Sequence, residues 1–504
     1  MKKGLIFLFA VFVFAFILRV MFLRDSSLTF GYDQARDALV SQQILAGDWK
    51  ILGPPASTPG LYHGVFYYYL LSPSYLIGNG SPIAAAYWIA FLNSLTVFIV
   101  FYLTFLLSKK TLPAIVVAVL FAVSFESVQY ATWLSNPTIG VWTVPLMYLG
   151  LWLWTKEKKW WGAVLTGLGL GLSIQAEVFL LYQLVPLGIW LFLNKKQINK
   201  KSVIIFVISL LFSISTMILA EFKFGFRSFS GLYSLTQTGD TVIAAKGFGD
   251  IILLFFNQLG RVFSLNSYPG NVGYGAGLVF VLVIYSLVKY GKKESWPIFL
   301  TLWLFSHLSV VSLGGTSTPF LLVGIGPAVS LLLGIVIYKL FTDNKKVLAV
   351  VIFIILLFGS ITMNLKQNSK GSVIFAIQKD LILKKQLAVI DYTYEKGGGK
   401  AFSVNSVTSP LWINIVWSYL YKWYGLPKYG YLPVWHGKDQ IGQIDALSKD
   451  EGKVGKYFLI IEPMAGIPLQ YRQETLDEEN YYSKLKDTQF WGEIEVQERE
   501  KINR

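Results

Sequence analysis

The segment Gly31-Tyr32-Asp33-Gln34-Ala35-Arg36-Asp37 is the most informative place for chemistry in this 504-residue chain. Asp33 and Asp37 are spaced i, i+4, so a helix would carry them on one face, with Arg36 adjacent in sequence. A carboxylate within hydrogen-bond reach of a substrate hydroxyl can take its proton as a general base. The plain alternative is a solvated acidic loop, because Arg24, Arg36 and Lys50 stand against Asp25, Asp33, Asp37 and Asp48 in the same region. The neighbouring residues weigh against that alternative: a Gly53-Pro54-Pro55 turn, then the aromatic run LYHGVFYYYLLSPSYLIG at 61–78.

Other chemistries find little support. The three histidines, His63, His307 and His436, lie far apart in sequence, and the chain has no cysteine, so a dedicated zinc site is not expected. Carboxylates are free to hold a hard divalent cation; no other cofactor is expected and no metal ligand is assigned. No GxxxxGK[ST] phosphate loop is present, and Gly397-Gly398-Gly399-Lys400 reads as a turn. No GxSxG nucleophile elbow occurs either.

The elements that must position Asp33 are set by composition. Only 14% of residues are charged, whereas 54% are hydrophobic and 16% aromatic. Soluble domains carry about a quarter charged residues. The apolar residues fall in long runs, and a run of about 20 crosses the hydrocarbon core as a helix. Eleven spans are expected, at 4–23, 82–107, 112–130, 137–154, 160–175, 177–193, 202–220, 273–289, 296–313, 319–338 and 346–363. The formal charge of +15 is not a nucleic-acid footprint. Six clusters, starting at Lys2, Lys109, Lys156, Lys195, Lys289 and Lys339, hold 17 lysines against Glu157, Glu294 and Asp343, nearly the whole excess. Lysines confined to alternate loops mark the cytoplasmic side of a multi-pass protein of the cell membrane. With the N-terminus inside, an odd span count puts the C-terminal tail outside.

Two long outer loops result, at 24–81 and 221–272. Within the first, 61–78 is expected to lie in the interface as a helix. The second contains an amphipathic piece at 251–265. From 364 the composition changes, with 19 basic and 17 acidic residues, and a small extracytoplasmic α/β domain is expected over 364–504. Its elements should be a helix at 372–395, strands near 402–404, 457–462 and 493–497, and an aromatic helix at 411–424. The fold class is thus a predominantly α membrane domain over 1–363 with a small α/β appendage.

The segments GYDQARDALVSQQIL, LYHGVFYYYLLSP and Trp133-Leu134-Ser135-Asn136-Pro137 together resemble the polytopic GT-C glycosyltransferases, specifically the bacterial protein-mannosyltransferase-like branch. The resemblance covers the N-terminal third well, and the rest agrees in outline. It implies transfer of a sugar from a polyprenyl-phosphate donor, in the bilayer, to a protein, lipid or glycan acceptor on the outer side. It also implies an essential Asp in the first outer loop, at the position of Asp33, acting as general base with inversion. Asp37, Arg36 and Glu126 are then candidates for catalysis or acceptor binding, with Tyr32, Asn136 and Glu177 elsewhere in the cavity. The leaving phosphate needs stabilisation, for which the candidates are His63, Lys246 and Arg261. Glu177 departs from the family, which often carries His near there. Asn136 before Pro137 also reads as a helix cap, Arg19 as a snorkelling side chain, and His307 as a packed residue with one hydrogen bond. The alternative function is a transporter or lipid flippase of the cell envelope. Against it, the ionisable residues gather at the outer edge rather than the midplane, without half-to-half symmetry.

Overall fold

The computed structural model describes residues 2–56, 60–228, 231, 247–267, 272–314, 319–437, 446–463 and 467–502. Helices dominate up to residue 368. Five are long and apolar enough to cross a membrane: Gly4–Asp25, Pro82–Ser108, Phe248–Asn266, Val272–Tyr290 and Lys346–Asn368. Two bent pairs join them if each counts as one span, Thr111–Val123 with Phe125–Ala131 and Lys200–Ser213 with Ser215–Phe224, at 55° and 56°. Shorter apolar helices lie at Val178–Leu193, Trp296–Val311 and Gly326–Thr342. The protein is therefore membrane-embedded, although its spans are less uniform than eleven straight helices.

The irregularities have local causes. At the first bend Ser124 leaves helical geometry and caps the next helix, its Oγ accepting from the Ser127 amide at 3.2 Å. The same hydroxyl donates to Asn266 Oδ1 at 2.5 Å, so the bend is pinned from a distant helix. The piece expected at 251–265 in an outer loop is helix Phe248–Asn266 of the helical body. It runs antiparallel to Val272–Tyr290, with Gly260 against Val272 and Ala276, and Phe256 against Phe280. It has the periodicity of a surface helix, yet Asn266 at its end meets the buried Ser124 and Glu126 of another element, while Asp250 and Asn257 stay exposed. Arg19 does not snorkel. It is buried, with Nε donating to Asn93 Oδ1 at 2.7 Å and Nη1 to the Ala15 and Ala122 carbonyls at 2.9 Å. His307 packs as expected, its ring stacked on Phe255 and its Nε2 3.3 Å from the Phe255 carbonyl.

The lysine-rich loops join one another at one end of the bundle. Lys109 pairs with Glu157, Lys339 with Glu294 and Lys289 with Asp343. The C-terminal domain is built on a five-stranded sheet: β1 (Ser403–Val407), β2 (Val434–Trp435), β3 (Lys456–Ile461), β4 (Ser483–Trp491) and β5 (Ile494–Lys501), in the order β2-β1-β3-β5-β4. The first three strands are parallel, and β5 and β4 continue antiparallel. The expected strands at 402–404, 457–462 and 493–497 thus appear as β1, β3 and β5. The helix expected at 372–395 forms only over Leu383–Gly397, because the preceding residues dock on the first loop. Phe30 donates to the Leu381 carbonyl and Leu383 to that of Leu28, each at 2.9 Å. The aromatic helix runs Ile415–Tyr429 through a π turn at Tyr421–Gly425; its Trp417 is core and Trp423 half-buried.

The first loop is itself two helices, Tyr32–Leu45 and Phe66–Ile77, packed together. Ser41 and Ser72 stitch them through backbone carbonyls at 3.2 Å. Leu28, Phe30, Tyr67 and Tyr75 of this loop share one apolar core with Trp417, Tyr419 and Phe458 of the sheet domain. That shared core fixes the C-terminal domain over the loop. The interfacial-helix expectation for 61–78 corresponds to Phe66–Ile77.

Candidate active site

Asp33 occupies the second position of helix Tyr32–Leu45, whose N-terminus is tied on two sides. Gln34 Oε1 accepts from the Gly31 amide at 2.9 Å, while its Nε2 donates to the Leu134 carbonyl at 3.1 Å. Gln378 Oε1 accepts from the Tyr32 amide at 2.9 Å. With the backbone held there, the i, i+3 and i, i+4 spacing brings Asp33, Arg36 and Asp37 together. Arg36 Nη1 donates to Asp33 Oδ1 at 2.8 Å, and its Nε and Nη2 both donate to Asp37 Oδ1, at 2.8 and 2.7 Å. The Asp33 side chain is 52% exposed, Arg36 8% and Asp37 1%. Asp33 therefore faces space, and Asp37 lies beneath it. Burial pushes the Asp37 carboxyl up to about 7 against the pull of Arg36, and Asp33 adds to the push. Burial also works against the Arg36 charge, but Asp37 and Asp33 overcome it and hold the guanidinium protonated.

His63 forms the next wall. The His63 amide donates to the Pro54 carbonyl at 2.9 Å and Gly64 to that of Gln175 at 2.8 Å, so the segment is clamped between the Gly53-Pro54-Pro55 turn and helix Trp160–Ala176. Gln175 also accepts from the Phe66 amide at 3.1 Å. The Val178 amide donates to His63 Nδ1 at 3.3 Å, which assigns the ring proton to Nε2. Glu177 Oε1 is 3.7 Å from the same nitrogen. Burial, then the nearby Arg36 charge, lowers His63 to about 3. Burial raises Glu177, in the link between helices, to about 8 in spite of a bond from the Phe179 amide. His63 is thus a neutral hydrogen-bonding group and supplies no positive charge.

These residues line one cavity of about 530 Å³. Asp33, Tyr32, Gln34 and Arg36 are on its floor; Pro55, His63, Glu177, Asn136 and the aromatic rings of Trp133, Phe320 and Phe375 form its walls. Ser409-Pro410-Leu411 and Ile467-Pro468 of the C-terminal domain complete the lining. Of the residues singled out in the sequence, Tyr32, Asp33, Arg36, His63, Asn136 and Glu177 meet here. Asn136 does not cap a helix: its Nδ2 donates to the Ala176 carbonyl, bracing two walls.

Glu126 and Arg261 stand behind the wall instead. Glu126 is buried and accepts from Asn266 Nδ2 at 2.5 Å. The Arg261 guanidinium lies 5.8 Å from the centre of the Phe375 ring, within electrostatic reach of Glu126. Phe375 in turn stacks on Tyr130 at 4.2 Å. Lys246 lies outside the described residues. Gln34, Gln175, Gln378 and the roof segments were not singled out by sequence reasoning. Gln34, three residues past Gly31, could have been found as a helix-start signal; the others carry no local signal. Among the described residues, no group of three or more His, Asp or Glu stands together to hold a metal ion.

No protein-family model and no curated protein matches the chain. Among solved structures, the chain matches ArnT from Cupriavidus metallidurans, in a crystal structure bound to undecaprenyl phosphate. The TM-score is 0.63 at 9% identity, over 99% of this chain and 98% of that one. From the first helix to the last strand, then, this chain has the fold of ArnT.

Proposed function

We propose that the chain is a GT-C-type membrane glycosyltransferase, and that it moves a sugar from a polyprenyl-phosphate donor to an acceptor on the side of the bilayer carrying the C-terminal domain. The observation that carries this reading is a half-exposed carboxylate, Asp33, on the floor of a cavity roofed by that domain. The shared fold with a protein crystallised with undecaprenyl phosphate supports a lipid-linked donor. The side facing away from the lysine-rich loops is the extracytoplasmic one.

Asp33 acts as the base. Its Oδ1 is engaged by Arg36, and Oδ2 has no partner among the described residues. Oδ2 takes the proton of the acceptor nucleophile as that atom attacks the anomeric carbon. The bond to the phosphate oxygen breaks on the opposite face, and one displacement inverts the anomeric centre. The departing phosphate gains charge, so donors placed there contribute most to lowering the barrier. His63 supplies a hydrogen bond through Nε2, and Arg261, behind Phe375, supplies positive charge. The aromatic wall of Trp133, Phe320 and Phe375 excludes water. A protein-mannosyltransferase-like branch makes polyprenyl-phosphate mannose the first donor to test.

The test is transfer from labelled polyprenyl-phosphate sugars to endogenous acceptors in membranes, with wild type and Asp33→Asn. The expected result is transfer by wild type and a loss of about 10²- to 10⁴-fold in the variant, with equal membrane insertion. Undiminished transfer by Asp33→Asn would remove the base assignment; lipid scrambling or uptake without transfer would remove the enzyme.

A further inference from the structure

The Arg36 guanidinium is divided unequally between its two carboxylates, and this division has a chemical consequence. Two of its nitrogens are spent on one oxygen of Asp37, and only Nη1 reaches Asp33. A guanidinium and a carboxylate left to themselves form a two-bond fork, engaging both oxygens. In that arrangement both Asp33 oxygens would accept from Arg36, and neither would be left unengaged and fully basic for a substrate proton. Asp37 prevents the fork by occupying the other edge of Arg36. It also sets the charge: with Asp37 ionised the three groups carry a net negative charge, and without it they are neutral.

Resting on the reading of Asp33 as the base, we propose that Asp37 is a positioning residue: it draws the Arg36 guanidinium off Asp33 and so keeps one Asp33 oxygen available as proton acceptor. Asp37 is too deeply buried to touch substrate, and its Oδ2 has no hydrogen-bond partner among the described residues. The groups facing this pair are Asp33 on the same helix, Tyr67, Tyr68 and Tyr75 on helix Phe66–Ile77, and His63 on the wall. None of these is a second cation, so Arg36 alone mediates between the carboxylates.

The experiment is the pH–rate profile of sugar transfer by the reconstituted full-length protein, comparing wild type, Asp37→Asn, and the double variant Asp37→Asn with Arg36→Gln. In Asp37→Asn the freed Arg36 edge closes on Asp33. The plateau rate should fall about tenfold or more, and the acidic limb should move to lower pH, because a doubly engaged carboxylate gives up its proton more readily. The donor KM should stay within about twofold. In the double variant the guanidinium is gone; the acidic limb should return toward higher pH and part of the rate should recover, a non-additivity that a merely structural role would not produce. A lowered rate with an unmoved acidic limb, or no recovery in the double variant, overturns the proposal. Wild-type kinetics in Asp37→Asn beside an inactive Asp33→Asn overturns it while leaving the proposed function intact; an active Asp33→Asn overturns the base assignment itself.

Discussion

A single methyl group at residue 53 should disable the cavity while leaving the fold in place. A Cβ at Gly53 would lie 2.3 Å from the Gly64 carbonyl oxygen and 2.5 Å from that of His63. Ordinary van der Waals contact is about 3.5 Å, so the two chain segments must part by about 1 Å. Both obstructing atoms belong to the backbone, and no side-chain rotation relieves them. Parting stretches the His63-to-Pro54 hydrogen bond, now 2.9 Å, and the Ala56-to-Leu61 bond beside it. Overpacking of this kind costs about 1–3 kcal/mol, and a lost hydrogen bond about 1 kcal/mol. The damage to turnover should be larger than that to folding, since His63 moves with the segment and a 1 Å misplacement can cost about 100-fold in rate, about 2.7 kcal/mol of barrier. The assay is the initial rate of transfer by reconstituted Gly53→Ala. Gly188→Ala is the control, at a helical glycine with open space around its Cβ position. Thermal midpoints of both report the fold. A Gly53→Ala rate within about twofold of the control would refute the requirement that the His63 wall stand where it does.

Two further outcomes test the charges around the cavity. Arg261→Gln should lower kcat about tenfold with a small change in donor KM, because a guanidinium held behind Phe375 acts on the departing phosphate through its charge rather than by a direct bond; an unchanged kcat excludes Arg261 from stabilising the departing phosphate. His63, held down to about 3 by burial and then by Arg36, refuses a proton that the unfolded chain takes near its ordinary value of 6.5. The stability this represents is fully present above about pH 6.5 and is lost as pH falls toward 3. At about pH 5 the loss is about 2 kcal/mol, so the thermal midpoint of wild type should drop more on acidification than that of His63→Asn. Equal drops would mean that His63 is not a buried neutral residue.

The membrane body was written in composition and periodicity, because lipid forces apolar residues into contiguous runs whose length matches the bilayer. The Asp33–Arg36–Asp37 set was legible for a similar local reason: helical spacing alone brings i, i+3 and i, i+4 together. Strands β1, β3 and β5 were visible as short alternating or apolar runs, whereas β4 and helix Leu469–Tyr482 were too polar to stand out. What sequence could not reveal is every relation between distant segments. Helix Phe248–Asn266 reads as amphipathic whether Asn266 at its end meets water or the buried Ser124 and Glu126, and only packing decides between them. Asp33 and Asp37 are the same side chain four residues apart on one helix face, yet one is half-exposed and the other sealed, because Asp33 stands in the first turn, open to the cavity, and helix Phe66–Ile77 with Tyr67 and Tyr68 packs beside the next turn, which carries Asp37. Likewise, Gln378 and Ser409–Leu411 come to the cavity of Asp33 from more than 300 residues away. The sequence by itself determined which groups were present and that the bilayer surrounds them. Tertiary structure alone decided which carboxylate faces the cavity, since exposure is a property of the neighbours and not of the residue.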